Sequence, residues 1–366
     1  MKLECTKEKL ISAISKAEKI TSKNMSLPVL GCILFVAENN NLIIKSTNLD
    51  IGIEINIPVK VKEPGTVAVP GGVFLGLLSN IQGDTNIILE EDKGNLRISS
   101  KNTTSLVKAV VSDDFPSLPK LSGEKEISVK SQDILNGFKS VWYAAATVGI
   151  KPELSSVLVF SDGEDLVFAA TDSFRLAEKK VYTKRKLEIP PTLIPFKNVS
   201  EIIRVLESSE KEISIRIDHS QIAFLYNGVY LVSRTIEGNF PDYKQVIPKE
   251  TKTEVITLKQ DLIQALKIAN IFSDQFNQIS LNISPKKNFF EIKTKNANIG
   301  ENSNKLEAVL KGEETNINFN YKYIVDSFQS IDSDSVIFSF GGASQPLIIK
   351  GVSDSSFLYL VMPMNK

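Results

Sequence analysis

His219 is the single histidine among 366 residues, and it stands in Asp218-His219-Ser220. Acid, imidazole and hydroxyl are the groups of nucleophilic acyl transfer, but residues adjacent in sequence cannot adopt triad geometry. The tripeptide separates two apolar runs, 213–217 and 222–226, and reads as a hairpin turn. Pro70-Gly71-Gly72-Val73-Phe74-Leu75-Gly76 is rich in glycine, yet it has neither the lysine nor the spacing of a phosphate loop. It reads as the turn that starts a helix. There is no H-E-x-x-H and no C-x-x-C. Asp113-Asp114 and Glu90-Glu91-Asp92 read as solvated turns, not cation sites. Cys5 and Cys32 share no ligand spacing and read as buried thiols of a reducing compartment. No catalytic residue, metal or cofactor is expected. An enzyme would have to be of another kind, such as a nucleotide hydrolase using Asp172 and Arg175.

The elements that must position any site recur along the chain. A strand followed by an amphipathic helix places Leu10, Leu135 and Leu262 in equivalent positions, at steps of 125 and 127 residues. A second helix starts after Val69-Pro70, Ile194-Pro195 and Phe319-Asn320, at steps of 125. A closing strand with Phe-Pro behind it falls at Leu106…Phe115-Pro116 and again at Leu231…Phe240-Pro241. The third copy ends at Phe357-Leu358-Tyr359-Leu360. The spacing predicts three modules, 1–120, 125–248 and 253–366, each near the modal domain size. Linkers are expected at Leu118–Lys125 and Pro248–Thr253.

Helices are expected over Thr6–Ile20, Gly72–Ile81, Gln132–Ala146, Phe196–Leu206, Lys259–Ile271 and Tyr321–Ile331. Ile51, Ile53, Ile55 and Ile57 alternate with smaller or polar residues, the period of a half-buried strand. The fold class is α+β, with two helices per module packed on antiparallel sheet.

Forty-three basic residues balance 43 acidic ones, which argues against a binder relying on a large positive field. The polar faces of the helices nevertheless lean basic: Lys9, Lys16 and Lys19; Lys139; Lys197 and Arg204; Lys267; Lys322. If the modules close into a ring with helices inward, lysines line the hole, and zero net charge is compatible with a DNA partner. The start MKLECTKEKL has no apolar h-region, and no apolar run approaches the ~18 residues of a membrane span, so a cytoplasmic chain without a membrane partner is expected.

Several segments carry a specific likeness. Ala170-Thr171-Asp172-Ser173-Phe174-Arg175-Leu176-Ala177 resembles the A-T-D-x-x-R-L-A segment of the bacterial replicative sliding clamp, the DNA polymerase III beta subunit. Glu237-Gly238-Asn239-Phe240-Pro241-Asp242-Tyr243 with Val246-Ile247-Pro248 resembles its E-G-x-F-P-D-Y…P segment, and Val361-Met362-Pro363-Met364 its terminal V-M-P-M. Leu27-Pro28-Val29-Leu30-Gly31 and Asp114-Phe115-Pro116 match as well, so the likeness runs from residue 27 to 364 in order.

The resemblance implies the DNA clamp fold. Two chains would form a head-to-tail homodimer that encircles duplex DNA without reading its sequence, performs no chemistry and tethers a polymerase. It implies a peptide pocket between the second and third modules, walled by Leu154, Thr171, Phe174, Arg175, Leu176, Pro241, Val246, Met362, Pro363 and Met364. Its partners would be the polymerase catalytic subunit, the clamp loader and repair proteins, each docking a short motif with Gln and terminal Leu or Phe anchors. The ring seam would set Ser105 and Val107 against Ile271 and Phe272, and Lys23 would add to the DNA-facing lysines. This chain departs from the family pattern at Phe174, where many members have His, at Gln245, at Gly72 and at its Asn365-Lys366 end. A repeat scaffold that never meets DNA is the remaining alternative.

Overall fold

A computed structural model describes residues 1–22, 27–83, 86–121, 126–149, 151–209 and 211–364. Six α-helices lie among them: α1 (Lys7–Ile20), α2 (Gly71–Asn80), α3 (Ser131–Val141), α4 (Phe196–Leu206), α5 (Lys259–Ile271) and α6 (Tyr321–Ser327). No helix among the described residues is long and apolar enough to cross a membrane.

The chain divides into two compact units, Met1–Leu135 with Lys197–Thr235, and Asn136–Phe196 with Ile236–Lys366. The divisions cut the module expected over 125–248, and the sheets give the reason. In the first unit, strand Ile51–Pro58 of the first repeat pairs antiparallel with Val229–Arg234 of the second, inside one eight-stranded sheet. In the second unit, Arg175–Tyr182 pairs antiparallel with Phe357–Val361 of the third repeat, inside one nine-stranded sheet. A five-stranded sheet ending on Thr104–Val107 completes the first unit, and a four-stranded sheet ending on Gly300–Lys305 completes the second.

Helix α1 buries Leu10, Ala13, Ile14, Ala17 and Ile20, a stripe at helical spacing. Helix α4 buries Val199, Ile202, Ile203 and Leu206, and its Asn198 side chain is buried with them. That amide is satisfied by Ser233 Oγ at 3.0 Å and the Asp50 carbonyl at 3.3 Å.

Three expectations need correction. Helix α3 stops at Val141, followed by a 3-10 turn over Trp142–Ala144 instead of running to Ala146. The Ser140 carbonyl accepts from Ser330 Oγ at 3.0 Å, and Tyr143 Oη lies 3.0 Å from the same hydroxyl, so tertiary bonds replace the next helical turn. Helix α6 likewise ends at Ser327 and tightens into a 3-10 turn over Phe328–Ser330. Strand Ile51–Pro58 is buried on both faces as far as Ile55, not half-buried, because helix α1 packs on one face and Leu118 and Lys120 cover Gly52 and Glu54 on the other.

Candidate functional site

The segment Thr171–Arg175 links strands Asp165–Thr171 and Arg175–Tyr182 by a tight turn. Asp172 Oδ1 accepts from the amides of Phe174 and Arg175, both at 3.0 Å. Thr171 Oγ1 donates to the Arg175 carbonyl at 2.6 Å and accepts from the Ser173 amide at 3.1 Å. Short oxygen-bearing side chains make such turns because they bond the backbone two or three residues on. Ser173 takes the left-handed conformation that this closure needs, at φ 76°.

Beyond the turn, Leu176 lies directly opposite Leu360 in the sheet, and Arg175 opposite Val361. The Met362 amide donates to the Phe174 carbonyl at 2.8 Å, which holds the tail against the turn. Leu176 and Leu360 join Leu158, Ala169, Leu193, Tyr243 and Ile348 in one buried cluster. Above it opens a cavity of about 260 Å³ lined by Leu154, Thr171, Ser173, Arg175, Leu176, Pro241, Asp242, Tyr243, Val246, Leu360 and Met362. A socket walled mostly by apolar side chains with a few polar groups suits an apolar anchor.

Polar groups brace the walls. Arg175 Nε donates to Asp172 Oδ2 at 2.9 Å, its Nη1 pairs with Asp326, and its Cζ stands 4.8 Å from the centroid of the Tyr323 ring. Burial works against the Arg175 charge, but the Tyr359 oxygen and the two carboxylates outweigh it and hold the guanidinium above its ordinary range. Tyr243 Oη donates to the buried Glu178 carboxylate, and burial, then Glu178, pushes the phenol well above its usual range. Tyr243 therefore stays a neutral donor that fixes the segment carrying Pro241 and Val246.

Seven of the ten expected wall residues line this cavity: Leu154, Thr171, Arg175, Leu176, Pro241, Val246 and Met362. Phe174, 61% exposed, projects beside it, and Pro363 and Met364 are half-buried on the outgoing tail. The Met364 amide donates to the Asn318 carbonyl at 2.8 Å. Sequence reasoning missed Ser173, Asp242, Tyr243 and Leu360 as lining and Asp326 as the brace of Arg175. Leu360 was legible as the residue two before Met362 on the same extended segment; Asp326 lies 151 residues from its arginine and gave no signal.

Of the basic residues on helix faces, Lys9, Lys19, Lys139, Lys197, Arg204, Lys267 and Lys322 are exposed. Lys16 is half-buried, and burial followed by the charge of Lys19 lowers its proton affinity. In the first unit Lys19 Nζ donates to the Arg204 carbonyl at 3.3 Å, which joins the basic faces of α1 and α4. Arg204 is partly neutralised by Glu201 at 2.9 Å. Lys23 lies outside the described residues. At the free sheet edges, Val107 is buried within its own sheet and Ser105 half-buried, while Leu106 between them is 55% exposed. Ile271 is 63% exposed and Phe272 half-buried, its ring beside Gly300 at the start of the other edge strand. Asp218-His219-Ser220 forms a turn in which Asp218 Oδ1 accepts from the amides of Ser220 and Gln221.

Comparison with known proteins matches three family models in order. The DNA polymerase III beta subunit N-terminal domain matches residues 1–119, the central domain 128–242 and the C-terminal domain 244–365. The beta sliding clamp of Bacillus subtilis is 26% identical over the whole of both chains, and that of Synechococcus elongatus 25% identical over all of this chain and 99% of its own. The crystal structure of the Thermotoga maritima DNA polymerase III beta subunit superposes with a TM-score of 0.94 at 26% identity, covering 100% of this chain and 99% of that one. The Bacillus subtilis clamp structure gives 0.91 at 26% identity with the same coverage.

Proposed function

The chain belongs to the DNA polymerase III beta subunit family, and we propose that two copies close head to tail around duplex DNA and hold the replicative polymerase through the Leu176–Leu360 socket. The family is that of the sliding clamps, non-catalytic processivity factors, and the fold is the clamp fold. Nothing in this function asks for a reacting residue. It asks for a closed path, a surface that tolerates sliding and a place for partners.

The sheet edges carry the proposal. The nine-stranded sheet is a four-stranded half, Thr192–Pro195 through Arg175–Tyr182, joined to a five-stranded half, Phe357–Val361 through Val309–Gly312. The chain also carries one four-stranded and one five-stranded sheet left separate. Each has an open edge at the equivalent strand, Gly300–Lys305 and Thr104–Val107. Unpaired edges are templates for another chain, and pairing these two between copies would rebuild the nine-stranded pattern. Head-to-tail pairing of this kind closes into a ring when the rotation permits. The seam would draw on Ser105, Leu106, Val107, Ile271 and Phe272.

Toward DNA, Lys9, Lys16, Lys19, Lys139, Lys197, Arg204, Lys267 and Lys322 would act diffusely. Phosphate attraction from scattered lysines is weak, salt-dependent and blind to sequence, as sliding requires. The three repeats, 1–120, 125–248 and 253–366, are taken as the units of the ring. The polymerase, the loader and repair proteins would share the one socket, with Phe174, Pro363 and Met364 extending its rim.

The test is topological. The protein is loaded on nicked circular DNA with its clamp loader, and the circle is then linearised. It should remain on the circle and leave the linear form. Equal retention on both would replace encirclement with ordinary affinity.

A further inference from the structure

We infer that the joint of the first and second repeats holds a second copy of the partner socket, plugged by the chain's own Leu118. This rests on the proposed role of the Leu176–Leu360 socket and extends it to a site in the other compact unit.

The two joints match bond for bond. Asn48 Oδ1 accepts from the amides of Asp50 and Ile51 at 3.0 and 2.9 Å, as Asp172 does from Phe174 and Arg175. Thr47 Oγ1 donates to the Ile51 carbonyl and accepts from the Leu49 amide, both at 3.0 Å, as Thr171 does with Arg175 and Ser173. Leu49 takes φ 79° where Ser173 takes 76°. The Arg234 amide donates to the Asp50 carbonyl at 2.8 Å, as the Met362 amide does to Phe174. In the sheets Gly52 faces Val232 as Leu176 faces Leu360. Leucine is costly at positive φ, so Leu49 marks a turn that its surroundings impose, not one its own preference makes.

Over this second turn lies a cavity of about 140 Å³, against about 260 Å³ at the first. One exchange accompanies the difference. Leu176 is replaced by Gly52, and the vacated volume is taken by Leu118 from the linker, the position equivalent to Tyr243. A β-carbon on Gly52 would collide with Cδ2 of Leu118. Leu118 thus fills from within the space over the turn, where Leu49, Ile51 and Val232 also line the cavity and Asp50, Gln221 and Arg234 set polar groups beside them. Removing or evicting it should open a socket for a short peptide ending in Leu or Phe.

Two variants displace the plug by different routes: Leu118→Ala removes it, and Gly52→Ala pushes it out. The probe is a short labelled peptide with Gln at its start and Leu-Phe at its end, titrated calorimetrically against the full-length protein. The wild type should bind one peptide per chain. Each variant should bind two, with the first affinity unchanged, and Met362→Ala added to either variant should weaken the first site alone. A wild type that binds no peptide would overturn the proposed role of the Leu176–Leu360 socket. One peptide per chain in both variants, with wild-type melting behaviour, would overturn the plug.

Discussion

The seam proposal can be put at risk with Ile271→Ala. Ile271 ends helix α5 with 63% of its surface exposed, beside the edge strand Gly300–Lys305. Complete burial of an isoleucine side chain is worth ~1.5–3 kcal/mol. The share still exposed in one chain therefore offers roughly 1–2 kcal/mol at each seam. A head-to-tail pair has two seams, so the variant should lose about 2–4 kcal/mol, a rise of roughly 30- to 700-fold in dimer Kd. Sedimentation velocity over a dilution series reads this directly. Val148→Ala is the control, because Val148 is 92% exposed and belongs to neither edge strand. If the two variants dimerise with the same Kd, burial of Ile271 across a seam is refuted.

Two further outcomes are expected. Met362→Ala should weaken binding of a Gln-to-Leu-Phe peptide by roughly 5- to 30-fold, the effect of truncating a central anchor wall, measured by fluorescence anisotropy; unchanged affinity would remove Met362 from the socket. Glu54→Gln should melt earlier than wild type at neutral pH: burial works against the Glu54 charge, but Lys120 at 2.7 Å and Lys45 at 3.4 Å more than offset it and depress its proton affinity. A depressed carboxylate contributes stability above its unfolded value of about 4.3 and loses it as pH falls through the lower folded value. The gap in Tm should therefore close on acidification below about pH 4; a gap constant with pH would assign the effect to packing.

Periodicity made the helices legible because their apolar stripes are unbroken: Phe196–Leu206 and Lys259–Ile271 are observed with the boundaries expected. Helix ends set by tertiary bonds were not legible, as at Ser140 and Ser330, which lie 190 residues apart. The hairpin Cys32–Glu38 to Asn41–Thr47 carried a signal that periodicity passes over. Its Asn39-Asn40 turn has φ 47° and 55° at both residues, the pairing typical of a two-residue hairpin. Socket residues adjacent to a motif were legible through the motif. Tyr243 ends the segment Phe240-Pro241-Asp242-Tyr243, but only its bond to Glu178 gives it a positioning role. The seam position is subtler. Alternation sends Val107 inward with Leu96 as its cross-strand partner and leaves Leu106 outward, an orientation that the sheet register decides and motif matching does not.

The repeat is conserved within this chain at the level of backbone bonding, while the side chains above it diverge. Asn48-Leu49-Asp50 and Asp172-Ser173-Phe174 share only an acceptor oxygen at the first position, yet they close the same turn and receive the same tail amide. Edge pairing likewise uses amides and carbonyls that every residue but proline supplies. A fold built this way tolerates wide sequence change, in keeping with a TM-score of 0.94 at 26% identity. What such a fold does at each joint rests on very few side chains. Leucine at 176 with tyrosine at 243 leaves a cavity of about 260 Å³, whereas glycine at 52 with leucine at 118 leaves about 140 Å³. Inequivalence among equivalent joints therefore needs no change of architecture. It needs one exchange of volume between a sheet position and its linker, and Leu118→Ala and Gly52→Ala test whether a single substitution reopens the socket.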